Sequence, residues 1–378
     1  MSIRDPIGDV HWHPTRHFRD LKGSAESMFI CGIGTATPAN RYTKAQCLEA
    51  FNESDWIHRL DARSRYIAQT VLKRDNGMEA RRLAVATLHE VFCIDPDTLA
   101  SRFSANAPRL AAEAGANALR NAHIEAHQID AVVVSTCTGY LCPGLSGYVI
   151  EQLGLRRDAQ AFDLVGQGCA AALPNLSMGS ALIAARASKV VLSICVEVSS
   201  AAMYLDNDPG VLISACLFGD GAGAAVLSDA PAAGRHIRWR DYASFIEPKD
   251  RDALRFEQRA GMLRNILTRR VPALAAEHGF RVLEQVLHCA KLQINDISTW
   301  IMHAGGRDVL QAIEQRFNIA PEKLRYSAAI LREYGNLSSA FVYFVLEAAL
   351  ADNAPEGSWW LSSFGAGFSC HGALLEVG

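Results

Sequence analysis

Residues 163–177, DLVGQGCAAALPNLS, decide how the rest of the chain is read. Gly166 and Gly168 form a turn, and Cys169 stands at its end. Ala170, Ala171 and Ala172 then lead into apolar residues at helical spacing: Leu173, Leu176, Ala181 and Ala184. Pro174 falls near the start of that run, where a helix tolerates proline. The reading is a turn that delivers a thiol to the N-terminus of a buried helix. The helix dipole there favours an anion, so the sequence predicts a lowered thiol pKa and a nucleophilic Cys169. A cysteine in a helix is also commonly a plain core residue, and segments elsewhere decide between the two.

The surrounding composition is that of a well-packed globular protein. Apolar residues make up 49% of the 378, enough for two domains or two fused halves. A net charge of −3 gives no bulk attraction to nucleic acid or to an anionic membrane. The opening MSIRDPIGDV lacks the apolar core of a signal peptide, and no run approaches the ~20 apolar residues of a membrane span. The ten cysteines are scattered, with no CxxC pair, which suits reduced thiols and a cytoplasmic location.

Outward from residue 163, strand-like and helix-like segments alternate. SMFICGIGTA (27–36) reads as a first buried strand, IDAVVVST (129–136) as a second and KVVLSICVEVS (189–199) as a third. Helices are predicted over 43–64, 68–91 and 106–126, and ACLFGDGAGAAVL (215–227) joins a Gly-rich turn to a strand. Composition changes over 234–251, placing a boundary between halves at 235/236. In the second half, residues 256–292 read as helix with a break at Pro272. TWIMH (299–303) reads as strand, 309–317 as helix and 336–350 as a helix capped by Asn336. Residues 359–364 and 371–377 are the closing strands. The alternation predicts an α/β protein with a sheet covered on both faces, in two halves of similar order, 27–235 and 236–378, after an arm, 1–26. His11, His13 and His17 lie in that arm. No Cys or carboxylate cluster completes a metal site there, so no metal is expected.

Three segments carry reactive side chains beside Gly or small residues: QGCAAA at Cys169, HAGG at His303 and EYGNLSSA at Asn336. A histidine beside a cysteine promotes a thiolate, and His and Asn N–H groups are donors for a developing oxyanion. This triple suits decarboxylative Claisen chemistry: the thiol carries an acyl group while two donors hold a thioester enolate. Together with CLFGDGA (216–222), WIMHAGG, REYGNLSSA and SSFGAGF, these segments resemble the chalcone synthase-like type III polyketide synthases of the thiolase superfamily, from about Phe29 to Glu376. The resemblance implies the thiolase fold in its five-layer αβαβα arrangement, built from two duplicated halves, and a homodimer. It implies an acyl-carrying Cys169, a decarboxylation and oxyanion site at His303 and Asn336, and Phe218 standing between the coenzyme A tunnel and the cavity. Ser338 and Phe364, within the matching segments, are implied cavity residues.

Departures from the plant pattern lie in the cavity. Cys137 and Thr138 replace a Thr-Ser pair, Cys142 stands where plant enzymes have a methionine that reaches into the partner's cavity, and Ser199 and Ala202 replace threonines. CTGYLCPGL and GQGCAAALPN are most similar to bacterial alkylresorcinol and alkylpyrone synthases, which implies a long-chain fatty acyl starter extended with malonyl-CoA. By loose similarity Lys73, Arg74, Arg81, Gly305, Gly306 and Arg307 would line the coenzyme A phosphates. Coenzyme A thioesters enter as substrates and no cofactor is implied; an acyl carrier protein is a possible starter donor. The alternative is a single-round ketoacyl synthase III-type condensing enzyme, against which HAGG and GNLS depart from the usual HQAN-like and GNTS stretches.

Overall fold

The computed structural model describes residues 28–378; His11, His13 and His17 lie outside the described residues. Thirteen strands are described: β1 (Met28–Ala36), β2 (Arg41–Thr43), β3 (Ala80–Arg82), β4 (Ala131–Ser135), β5 (Gln160–Leu164), β6 (Val190–Glu197), β7 (Gly221–Ser228), β8 (Ile237–Ile246), β9 (Leu254–Arg259), β10 (Met262–Leu267), β11 (Ile297–Met302), β12 (Gly357–Gly365) and β13 (Ser369–Val377). Nine of them run edge to edge in the order β11-β12-β13-β8-β1-β7-β6-β4-β5.

The two wings of this order repeat one pattern outward from the central β1–β8 pair. In one wing β1 is antiparallel to β7, β7 antiparallel to β6, and β6 parallel to β4. In the other β8 is antiparallel to β13, β13 antiparallel to β12, and β12 parallel to β11. β5 extends the first wing alone, parallel to β4. Helices repeat as well. The long helix Pro96–Ala122 covers β1, β7 and β6, and helix Val271–Ala290 covers β13, β8 and β12 in the corresponding place.

Between the wings lie helices Ala172–Ala184 and Phe341–Ala351, which touch strands of both wings. Both are apolar on nearly every face, as a helix enclosed by sheets must be. The result is the αβαβα layering that the resemblance implies. Asn175, fully buried, fixes the first inner helix: its Nδ2 donates to Val133 O, Ser135 Oγ and Ile194 O at 3.2, 2.9 and 3.0 Å, and its Oδ1 accepts from Ser193 Oγ at 2.8 Å. No helix among the described residues is long and apolar enough to cross a membrane.

Several sequence expectations change. The basic helix over 68–91 stops at Lys73, because Asp75 and Asn76 accept from the backbone N–H groups of Gly77 and Met78 and turn the chain at Gly77, φ 85°. Helix over 43–64 is broken into Lys44–Glu53 and Trp56–Arg59, with a third helix starting at Ala62. The helix expected at 106–126 starts ten residues earlier, at Pro96, with Asp95 as its cap. Residues 254–267 form a hairpin, β9–β10, about the two-residue turn Ala260–Gly261, both at positive φ. Pro272 begins helix Val271–Ala290 rather than breaking one. Asn336 caps no helix; it lies in an extended bridge to Phe218.

The alanine-rich face of helix Pro96–Ala122 sits directly on β1. A Cβ on Gly34 would stand 2.2 Å from Ala118 N and 2.4 Å from Ala114 O. Backbone cannot retreat there without lifting the helix off the sheet. Gly34→Val should therefore lose about 3 kcal/mol or more of stability in urea unfolding; a loss below about 1 kcal/mol would show this contact to be loose.

Candidate active site

Cys169 lies in the 3₁₀ turn Gly168–Ala170, which leads into helix Ala172–Ala184. Gly168 is at φ 55°, and a Cβ there would meet Ala366 at 3.2 Å, so this turn requires glycine. The loop at Ala366 joins β12 to β13, and Ser363 Oγ donates to Ala170 O at 2.9 Å. The second half thus holds the thiol's turn in place.

Around the thiol is a polar knot that sequence reading missed. Glu197, at the end of β6, is wholly buried. Its carboxylate accepts from Cys137 N at 3.1 Å, Thr138 Oγ1 at 3.0 Å, Ser338 Oγ at 3.2 Å and Ser339 Oγ, and the Cys137 thiol lies within 3.3 Å. Ser338 Oγ also reaches Cys169 Sγ at 3.3 Å and Cys137 Sγ at 3.3 Å, so one hydroxyl bridges two thiols and a carboxylate. Ser338 is held at φ 51°, costly for a serine, by its N–H donating to Asn336 Oδ1 at 2.9 Å. The available signal was one acid in the apolar strand VVLSICVEVS, where a charge demands several donors.

Asn336 pairs through its backbone with the Phe218 segment: its N–H donates to Leu217 O at 2.9 Å and its carbonyl accepts from Gly219 N at 3.0 Å. Nδ2 makes one long contact, 3.3 Å to Gly305 O. Leu217 and Phe218 pack with Cys169 in one apolar cluster, ringed by Val71, Ile213 and Leu267. His303 follows β11, 1% exposed, and both its ring nitrogens lack a partner. Its ring meets Phe364 and Phe341 edge-on, with centroids 4.9 and 5.3 Å away.

Burial sets the protonation states. It pushes the Cys169 thiol up to about 12; the Ser338 hydroxyl opposes the shift and the Glu197 carboxylate adds to it. Burial alone pulls His303 down to about 3. The lowered thiol pKa expected from the helix dipole is therefore not what this site gives: desolvation outweighs the dipole, and the thiol and imidazole rest neutral.

Beside the knot is a narrow cavity lined by Cys137, Thr138, Ser199, Ala202, Phe218 and Ser338, all expected, and by Met203, Ser214, Phe256 and Asn265 among others that were not. Cys142 is exposed in the loop after β4 and does not line this cavity. Of the expected phosphate contacts, Lys73 and Arg74 are exposed. Arg307 is half-exposed, 3.4 Å from Asp75. Gly305 and Gly306 lie inward, against Phe364 and Leu217 respectively. Arg81 is a correction: it is buried, with Nη1 donating to Ala215 O at 2.7 Å and Phe218 O at 3.0 Å. It braces the Phe218 backbone and cannot meet a phosphate.

Residues 36–243 match the family described as FAE1/type III polyketide synthase-like proteins, and residues 246–376 match the chalcone and stilbene synthase C-terminal domain. The chain belongs to the type III polyketide synthases. These are acyltransferases of the chalcone and stilbene synthase kind. Among its relatives, the 3,5-dihydroxyphenylacetyl-CoA synthase of Streptomyces toyocaensis is 27% identical over 92% of this chain and 89% of that protein. The Amycolatopsis orientalis protein of the same name is 27% identical over 96% and 97%. The fold matches crystal structures of PKS-I from the brown alga Ectocarpus siliculosus (TM-score 0.83, 24% identity, 93% and 98% covered) and of 1,3,6,8-tetrahydroxynaphthalene synthase from Streptomyces coelicolor (0.81, 22%, 92% and 99%). The synthase has their thiolase fold.

Two substitutions at the knot should move the Cys169 thiol in opposite directions. Ser338→Ala removes the hydroxyl that lowers its pKa, so the pH profile of iodoacetamide alkylation should shift upward. Glu197→Gln removes a charge that raises it, so the profile should shift downward. Shifts of the same sign in two folded variants would contradict this account of the thiol.

Proposed function

We propose that the synthase loads an acyl group onto Cys169 from a coenzyme A thioester and extends it repeatedly with malonyl-CoA, closing a short polyketide to a hydroxylated aromatic ring. Cys169 and His303, each neutral when buried, ionise together: the thiol proton passes to an unpartnered ring nitrogen of His303, and thiolate and imidazolium then stabilise each other. The thiolate attacks the starter thioester carbonyl, the C–S bond to coenzyme A breaks, and coenzyme A leaves as its thiol with the proton of the His303 imidazolium. Malonyl-CoA then loses CO2. The electron pair of the broken C–C bond becomes the thioester enolate, whose oxygen accepts from His303 and from Asn336 Nδ2. The enolate carbon attacks the Cys169 thioester, and the Cys169 thiolate departs.

The observation that carries the choice of product is the cavity. Its lining sets Thr138, Ser199, Ser214, Asn265 and Ser338 beside Met203, Val211, Phe218 and Phe256, a mixture that suits an acyl chain carrying oxygens. The long-chain fatty starter with alkylresorcinol or alkylpyrone products, which the cavity motifs imply, is the alternative reading. The relatives named for 3,5-dihydroxyphenylacetyl-CoA support a ring of that kind. The exposed cations Lys73, Arg74 and Arg269 stand on segments next to Val71 and Leu267, at the outer side of the Cys169 cluster, and suit the coenzyme A phosphates.

A homodimer is part of this reading: β5 is an unpaired edge, and Tyr140 and Val165, 79% and 65% exposed, lie in loops beside it. So is a cytoplasmic location, supported by ten cysteines of which none among the described residues is in a disulfide.

Mass spectrometry of products from malonyl-CoA, alone and with acyl-CoAs from acetyl to stearoyl, tests the reading. Hydroxylated aromatics from malonyl-CoA alone or with short starters are expected. Alkylresorcinols from long chains in high yield would overturn the short-starter assignment. A one-step β-keto product, or none without acyl carrier protein, would mark a single-round condensing enzyme. Cys169→Ala should abolish product. Asn336→Ala should slow malonyl-CoA decarboxylation about 100-fold, more than it slows Cys169 acylation, which Asn336 reaches only through Ser338; equal losses in both steps would remove Asn336 from the enolate site.

A further inference from the structure

Two thiols meet at the knot. Cys137, in the loop after β4, and Cys169, in the turn before the inner helix, each contact Ser338 Oγ at 3.3 Å. One hydroxyl therefore separates the sulfurs by no more than two such contacts. Cys137 is half-buried and lines the cavity beside the knot. Cys195, two residues before Glu197, is wholly enclosed in the core and does not line that cavity. Neither Cys137 nor Cys169 lies in a strand or an α-helix. Turning their side chains toward each other breaks contacts to Ser338 and Glu197 but no sheet or α-helix hydrogen bond.

Each thiol also has its own base. The proposed reaction passes the Cys169 proton to His303. The Cys137 Sγ lies 3.3 Å from a Glu197 carboxylate oxygen. Burial raises the pKa of that carboxylate and so makes it a stronger base than an exposed one. Burial raises the Cys137 thiol as well, so its proton leaves only as a new bond to sulfur forms. A nucleophilic thiolate is oxidised by peroxide to a sulfenic acid, and a sulfenic acid without a thiol nearby goes on to sulfinic and sulfonic acids. A second thiol within reach stops that ladder at a disulfide, which a dithiol reverses.

We propose that Cys137 and Cys169 are a peroxide-sensitive pair, which oxidation joins in a disulfide that blocks the nucleophile reversibly. The Cys169 thiolate attacks a peroxide oxygen. The S–O bond forms, the O–O bond breaks, and the hydroxide released takes the His303 proton and leaves as water. The Cys137 thiol then gives its proton to Glu197 and its sulfur attacks the Cys169 sulfenic sulfur. The S–S bond forms, the S–O bond breaks, and hydroxide leaves as water with the Glu197 proton. Two thiols and one hydrogen peroxide thus become one disulfide and two waters. The proposal goes beyond the polyketide reading and takes from it only the Cys169–His303 proton exchange.

The test treats the purified full chain with hydrogen peroxide, blocks remaining thiols with N-ethylmaleimide, and maps unreduced peptides by mass spectrometry. A linked Cys137–Cys169 peptide pair is expected. Turnover of malonyl-CoA should fall about 10-fold and return to within about twofold of the untreated level with dithiothreitol. Cys137→Ser, compared with its own untreated activity, should also be inactivated, but with sulfinic acid at Cys169 and less than about one-fifth of the activity restored by dithiothreitol. Cys169 left unmodified, Cys169 sulfinic acid as the main wild-type product, a disulfide from Cys169 to any other cysteine, or equal recovery in variant and wild type would overturn the proposal. If Cys137→Ser does not fold, the wild-type peptide map decides alone. That map is read without activity, whereas failure of the polyketide reading shows as absence of CO2 release from malonyl-CoA by untreated protein.

Discussion

A carboxylate buried at the end of an apolar strand must find donors, and Glu197 finds them on both sides of the molecule. Thr138 and the Cys137 amide come from the loop after β4, in the first half; Ser338 and Ser339 come from the second. Burial raises its pKa and these donors pull it back. Neither half alone satisfies the group. The knot therefore couples the docking of the two wings to the placement of Cys169, because Ser338, which contacts the carboxylate, also contacts the thiol. Asn336 belongs to the same device, since its Oδ1 holds the Ser338 backbone in a left-handed conformation. A residue with a chemical role in the proposed reaction is also part of the seam.

The same burial explains why the site rests uncharged. The helix dipole contributes a few tenths to about 1 kcal/mol at ordinary helix ends, whereas removing a thiolate from water is worth several pKa units. An isolated Cys169 thiolate or an isolated His303 imidazolium is unfavourable here, which is why the proposed reaction has them form together by exchange of one proton. His303 is suited to this by what surrounds it: Phe364 and Phe341 hold the ring by its edges and face, and neither competes for its nitrogens.

Much of this was legible in the sequence. The segments around Cys169 and His303 read as turns between strands and helices because glycine and small residues mark them, and the long apolar strands announced a covered sheet. What failed has physical causes. The helix expected over 256–292 includes the hairpin β9–β10; the alternation of Arg255, Glu257 and Arg259 over the first strand and the turn at Ala260–Gly261 are the signals of the hairpin. Arg81 was read as a surface cation because charge is normally exposed, and only the backbone carbonyls of Ala215 and Phe218 show why it is not. Glu197 was missed because satisfying a buried acid takes residues 60 and 141 positions away, which no local pattern connects.

The hairpin is also where local sequence and function part company most sharply. Its outer face carries charges that reach back to Asp206 and Asp208, and its inner face presents an aromatic ring and a carboxamide to the cavity. Because the two faces alternate along one strand, the ion pairs fix the register that aims Asn265 inward. A slip of one residue would turn Arg264 into the cavity and Asn265 out of it. Ion pairs outside the cavity thus determine which side chains of the hairpin line it. The clamp is strong enough for that purpose because Arg264 is removed from solvent and meets three carboxylates, so its pairs are screened far less than surface ion pairs are. The shape of the cavity wall follows from a buried guanidinium on its far side as much as from the residues that line it.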